Sequence, residues 1–154
     1  MPLKVERNGA VRARPVLLCA DDYGIAAGVS RGILELATAG RLSALSALVT
    51  LPRWAGDAPA LDAVRDRVSI GLHLNLTLGA PLGRMPRLAP EGRLPSVGQV
   101  VKLALQGRID AGEVKAETLR QIEAFRAATG HLPDHIDGHQ HVHAREVAGA
   151  PHLG

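Results

Sequence analysis

Four short apolar stretches, separated by helical sequence and mostly ending in polar residues, constrain this chain more than any other feature. "PVLLCA" (Pro15 to Ala20) reads as a buried strand that stops at the turn "DDYG". "LSALSALVTLP" (Leu42 to Pro52) is mostly apolar and ends at proline, as a buried strand does. "VSIGLHLNLT" alternates: Val68, Ile70, Leu72, Leu74 and Leu76 face one way, and Ser69, Gly71, His73, Asn75 and Thr77 the other. The stretch from Asp134 to Val142 alternates again. Between them lie helical segments. Gly28 to Gly40 carries Val29, Ile33 and Leu36 at helical spacing, with Ser30 as N-cap and Gly40 as stop. Ala60 to Arg67 reads as a short helix. After a long Pro/Gly-containing connection, Gly79 to Ser96, come helices at Val97 to Gln106 and Glu113 to Thr129. The latter places Val114, Ile122 and Phe125 on one face and ends at Gly130. Strands alternating with helices predict an α/β fold with a parallel sheet and right-handed crossovers. In such folds the chemistry collects at the carboxyl ends of the strands. Three polar clusters fall there: Asp21–Asp22, His73 with Asn75 and Thr77, and the run from His135 to His143.

Composition narrows the class. The chain of 154 residues is the length of one domain, and at 2% aromatic its core must be built from Leu, Val, Ile and Ala. No apolar run approaches the ~18 residues of a membrane span. The first fifteen residues are basic but lack the apolar centre of a signal peptide, and are expected to be a ragged, cytoplasmic start. One cysteine, Cys19, cannot form an intrachain disulfide. The net charge is +3, but the arginines are scattered and few aromatics are present to stack on bases, so no nucleic-acid partner is expected. Cys19 lies inside an apolar strand, where a thiol is a structural group and not a nucleophile. No phosphate-cradling glycine loop or nucleophile-elbow serine occurs.

"HIDGHQHVH" holds four of the chain's seven histidines. On a strand, His135, Asp137, His139, His141 and His143 share one face. On a helix, His135/His139 and His139/His143 would be pairs four residues apart, but Pro133, Gly138 and the β-branched residues disfavour a helix and no HExxH pattern is present. A strand entering a loop is expected. It would span about 13 Å at roughly 3.3 Å per residue, so one or two of these side chains can reach a given ion and the others must act beside it or face solvent. At the end of the first strand, neighbouring carboxylates point in different directions, so one can bind a metal while the other reaches the water held there. Together with His73, one Asp and two His make a three-ligand site with positions left for water and substrate.

"VLLCADDYG", "SIGLHLNLTLGAPL" and "PDHIDGHQHVH", in this order and spacing, resemble the YdjC-like family of carbohydrate deacetylases, which includes chitooligosaccharide deacetylases and hopanoid-biosynthesis-associated members. The likeness runs from about Val16 to His143. It implies a (β/α) barrel of the polysaccharide-deacetylase-like type and metal-dependent hydrolysis of the acetamide of N-acetylated sugars. It also implies Asp21 as general base and Asp22, His73 and His139 as metal ligands, with Mg2+ as the ion. The ligand types by themselves suit zinc or another first-row ion, whereas magnesium prefers more oxygen. Asp137 is then expected to orient a ligand histidine, and His141 or His143 to protonate the leaving amine. Asn75 and Thr77 are expected at the substrate. Tyr23 stands where Phe is common in the family.

The pattern ends after His143, and "AREVAGAPHLG" has neither helical nor strand periodicity. The expectation is therefore a barrel part over residues 16–143 with an aberrant tail over 144–154, truncated or frameshifted. About four parallel strands are present where a closed barrel of this type has about eight. That predicts a marginal chain, inactive or nearly so, that is either aggregation-prone or self-associated. Two other readings stand beside the deacetylase: another metal hydrolase such as a phosphoesterase, and an inactive fragment that still binds metal or sugar.

Overall fold

The computed structural model describes residues 15–144, with side chains through residue 142. Four strands form one parallel sheet in chain order: β1 (Cys19–Tyr23), β2 (Ala44–Ala47), β3 (Ser69–Leu74) and β4 (Ile136–Gly138). Helix α1 (Ala27–Thr38) joins β1 to β2. A short helix α2 (Trp54–Asp57) and the 3-10 turns Ala58–Val64 join β2 to β3. The long loop, α3 (Val97–Leu105) and α4 (Ala111–Thr129) join β3 to β4. The α/β expectation and the four parallel strands hold. Among the described residues the sheet is not closed, since β1 and β4 each pair with a single neighbour.

The two faces of this sheet differ. Leu45, Ala47, Ile70 and Leu72 turn outward into a core with Ile33, Ala37, Leu61, Val64 and Phe125. Trp54 stacks on Phe125 with ring centroids 5.7 Å apart, so two of the chain's few aromatics meet in one place. The inner face carries polar groups. Across it, side chains from the two edge strands meet: Cys19 Sγ of β1 lies 3.9 Å from His135 Nε2 beside β4. The inner face thus has the character of a barrel interior, although the described sheet is open.

Gly71 makes room for the His135 ring. A Cβ built there would overlap the His135 imidazole, which lies directly over the Gly71 backbone. We expect Gly71→Ala to force that ring aside and to destabilise the chain by about 1–3 kcal/mol, the usual cost of overpacking. A denaturant melt checks it; an unchanged midpoint would mean the ring is free to move.

Several local expectations are corrected. Ser30 is not the N-cap of α1, because the helix begins three residues earlier, with Ala26 at its cap. Ser30 is buried inside the first turn, accepting the Gly24 N–H at 3.1 Å and donating to Asp57 Oδ2 at 2.9 Å. The apolar stripe of α1 is Ile33 with Ala37, and Val29 and Leu36 are exposed. Gly40 does stop the helix, at φ +66, with Arg41 N–H bonding back to Leu36 O at 2.9 Å.

The connection from Leu76 to Ser96 is more than a spacer. Leu76, Met85, Leu88, Ala89 and Leu94 form a second small core with Leu74. One stripe of α4 holds this loop by its main chain. Glu113 accepts from the N–H groups of Arg87 and Leu88, and Glu117 from those of Leu82 and Gly83. Gln121 donates to Asn75 O at 2.8 Å and accepts from Asn75 N at 3.0 Å. Truncating Gln121 to alanine would orphan two fully buried backbone groups at about 1–3 kcal/mol each. A fall in stability of a few kcal/mol in a urea titration is the expected result.

Candidate metal centre

The centre is built by a defect in β1. Ala20 pairs with Leu45 and Tyr23 with Ala47, so three steps on β1 oppose two on β2. Both Ala20 and Tyr23 contact the outer core. The extra residue of this bulge therefore lets Asp21 and Asp22 both address the inner face. Asp22 adopts φ +65, the left-handed region that Asp tolerates better than most residues. The expectation of a strand stopping before a turn is corrected: the Asp pair lies inside β1.

Three side chains from three strand ends meet at Asp22. Its Oδ1 lies 3.2 Å from His73 Nε2 and 2.8 Å from His139 Nδ1. The three ligand atoms lie within 4.8 Å of one another. The His73 and His139 rings meet edge-on with centroids 5.5 Å apart. His73 is 2% exposed and His139 8%, so the imidazoles are fixed by packing while Asp22 keeps contact with solvent.

A further layer fixes His73. Asp137, level with His73 in the β3–β4 ladder, presents Oδ1 to His73 Nδ1 at 2.7 Å. Ser46 donates its single proton to Asp137 Oδ2 at 2.9 Å and sits 3.1 Å from His73 Nδ1. Asp137 therefore holds the proton-bearing nitrogen of His73 at Nδ1, and the Nε2 lone pair points at Asp22. In a neutral imidazole that lone pair would face a carboxylate oxygen at 3.2 Å with nothing between them. The arrangement wants a positive charge there. A proton supplies it in one state, and a divalent cation fits the same demand. The donor set of two imidazoles and one carboxylate suits such an ion, with Asp137 as the carboxylate partner typical of a ligating histidine.

Burial alone would lower the His73 pKa. The hydrogen bond to Asp137, then the charges of Asp137, Asp22 and Asp21, outweigh burial and raise it above 6.5. Burial alone would raise Asp137, but the bonds from His73 and Ser46, with the charges of His73 and His135, hold it below 3.8. For His73, the contribution to stability is complete below pH 6.5 and is lost as pH rises through the raised value. For Asp137, it is complete above pH 3.8 and is lost as pH falls through the depressed value. In a chelator, we expect the pair to stabilise the chain most between pH 3.8 and 6.5, and Asp137→Asn to flatten this part of the profile. Cation binding should run the other way and strengthen above the His73 value, because the ligand must be neutral. Thermal melts across pH with and without chelator check both signs.

The remaining candidates fall as follows. The carboxylate of Asp21 is exposed, and it offers an oxygen within 4.8 Å of atoms of His73 and Asp137. Asn75 lies beyond β3, fully buried. Its amide donates to Thr50 Oγ1 and Leu78 O and accepts from Thr77 N and Leu78 N. The Asn75 side chain thus knots the turn, with both its amide donors engaged. Thr77 Oγ1 is buried without a hydrogen-bond partner among the described residues. The extended run ends at Gly138, and Gln140 and His141 both take positive φ, so the shared face breaks after His139. His141 is exposed, and the His143 side chain lies outside the described residues. Cavities of about 390 and 530 Å³ lie under the long loop, between Pro81 and Gly92 and between Thr77 and Gln99. Asp22, His73 and His139 line neither.

Sequence reasoning missed Ser46 and Gln121, both fully buried. Ser46 carried a weak signal, a polar residue central in an apolar strand. Gln121 carried none, because its partner Asn75 is 46 residues away.

Residues 15–150 match the family model described as YdjC-like protein. A chitooligosaccharide deacetylase of Klebsiella pneumoniae is 35% identical over 130 residues, covering 84% of this chain and 50% of the relative. A carbohydrate deacetylase of Homo sapiens is 35% identical over 133 residues, covering 83% of this chain and 41% of the relative. Among solved structures, a protein of Enterococcus faecalis described as a proposed cellobiose-phosphate cleavage protein superposes with a TM-score of 0.72 at 27% identity, over 84% of this chain and 50% of its own. The chain spans about half the length of the curated relatives it matches.

Proposed function

We propose, because the chain belongs to the YdjC-like protein family, that it is a metal-dependent carbohydrate deacetylase acting on the acetamide of N-acetylated sugars. The observation that carries this reading is the meeting of His73 Nε2, His139 Nδ1 and Asp22 Oδ1 beside a second, exposed carboxylate. Asp22, His73 and His139 would hold a divalent cation, which supplies polarisation of the acetyl carbonyl and a lowered pKa for water. Asp137 keeps the His73 lone pair aimed at that position. Asp21 accepts a proton from the attacking water at a carboxylate oxygen. Water adds to the acetyl carbon, the C–N bond breaks, and acetate and a free sugar amine leave. His141, exposed just past His139, is the proposed donor of the amine's proton. The ligand types favour zinc or another first-row ion, and the family likeness favours magnesium, so both belong in the assay.

No helix among the described residues is long and apolar enough to cross a membrane. A free Cys19 thiol fits a reducing compartment, and we place the protein in the cytoplasm.

The test is incubation of the chain with N-acetylglucosamine oligomers and with sugar phosphates, each in Mg2+ and in Zn2+. Slow release of acetate with a new free amine, abolished by chelator, is the expected result. Release of phosphate without acetate would assign the centre to a phosphoesterase. The inner-face strand residues contain no Arg or Lys for binding a phosphate, which favours the first outcome.

A further inference from the structure

One layer below the centre, a second group of ligand-type atoms comes together, of which the deacetylase reading uses only Asp137. Cys19 Sγ lies 3.9 Å from His135 Nε2 and 4.0 Å from Asp137 Oδ2. The three ligand atoms lie within 4.8 Å of one another, and all three residues are half-buried. They come from opposite ends of the sheet order, and the His135 ring reaches toward Cys19 across the space left by Gly71. The His135 ring is held in place at its other nitrogen, where Ser69 Oγ sits 3.0 Å from Nδ1. Nε2 is thereby left for the sulfur. The Ser46 hydroxyl, donating at 2.9 Å, fixes the Asp137 carboxylate.

We infer that Cys19, His135 and Asp137 form a second cation site, selective for thiophilic ions such as Zn2+, Cd2+ or Co2+. Tetrahedral zinc with bonds of about 2.3 Å to sulfur and 2.0 Å to nitrogen sets those ligand atoms about 3.5 Å apart. The observed separations of 3.9 and 4.0 Å reach that value by a shift of about half an ångström. Binding displaces the thiol proton to solvent and leaves a cysteine thiolate, an imidazole and a carboxylate on the ion. A thiolate ligand selects soft ions and rejects magnesium, so the two sites are distinguishable by metal. The thiol is no nucleophile here, since burial, then the charges of Asp137 and Asp21, push its pKa up to about 11. The sites share one carboxylate. Asp137 presents Oδ1 to His73 and Oδ2 toward Cys19, so filling the lower site engages the residue that orients His73.

The test is a Co2+ titration of the full chain with Cys19 kept reduced, read by the thiolate-to-cobalt charge-transfer band in the near ultraviolet and by bound-metal stoichiometry. The expected result is two equivalents bound, with a thiolate band that saturating Mg2+ does not suppress. Cys19→Ser should remove the band and one equivalent. Asp22→Asn should remove the other equivalent and keep the band. Absence of a thiolate band in the unmodified chain, or a band that survives in Cys19→Ser, would overturn the proposal. One equivalent with a band would retain the lower site and reject the upper, whereas one equivalent without a band would do the reverse.

Discussion

Asp22→Asn should lower the affinity of the upper centre for Mn2+ by more than about 100-fold, beyond the 10–100-fold typical when a residue behind the ligands is removed. Asp22 Oδ1 is the atom shared by the site, 3.2 Å from His73 Nε2 and 2.8 Å from His139 Nδ1. Asparagine removes the charge but keeps the shape. It also tolerates the positive φ of position 22, so the bulge in β1 survives. The loss should therefore appear in a calorimetric Mn2+ titration without a comparable fall in the chelator-treated melting temperature. Retained Mn2+ binding at full strength would remove Asp22 from the ligand set.

Asp21→Asn should do the opposite. Its carboxylate is exposed and offers an oxygen within 4.8 Å of atoms of His73 and Asp137. As the proposed base, it should carry about 10²–10⁴ of the rate, the usual share of a positioned proton acceptor. We expect acetate release from N-acetylglucosamine oligomers to fall by that factor while Mn2+ affinity stays within about threefold, well short of the 10–100-fold effect of an orienting residue. Parallel loss of metal and activity would make Asp21 a ligand. The contrast between the two variants is the informative quantity, because adjacent residues on one bulge are assigned different jobs.

The sequence made the sheet and its faces legible where the pattern was local. Val68, Ile70, Leu72, Leu74 and Leu76 alternate in the chain and are all buried on the core side, and His73 falls on the inner face as alternation requires. The three polar clusters do meet, because parallel strands bring their carboxyl ends to one side of the fold. What local pattern could not give is what pairing decides. "DDYG" has good turn chemistry, and only the register against Leu45 and Ala47 reveals a bulge that turns both carboxylates inward. Asn75 looked like a substrate contact because it continues the polar face of β3. Four hydrogen bonds from its side chain, and Gln121 gripping its main chain, make it part of the loop's scaffold. The odd-numbered run from His135 read as one face. Left-handed residues at Gln140 and His141 end that face after His139, a backbone reversal that alternation cannot encode. The long loop read as a plain connection because its small core and its glutamate anchors on α4 are contacts between distant segments.

An anomalous-difference map from crystals grown with Mn2+ would locate the ion among the three proposed ligands. The expected result is a peak at the upper centre, within bonding distance of Asp22 Oδ1, His73 Nε2 and His139 Nδ1, with Asp137 still on His73 Nδ1. A map with manganese bound only elsewhere, or with His73 Nε2 still paired to Asp22 and no peak beside it at saturating Mn2+, would contradict it.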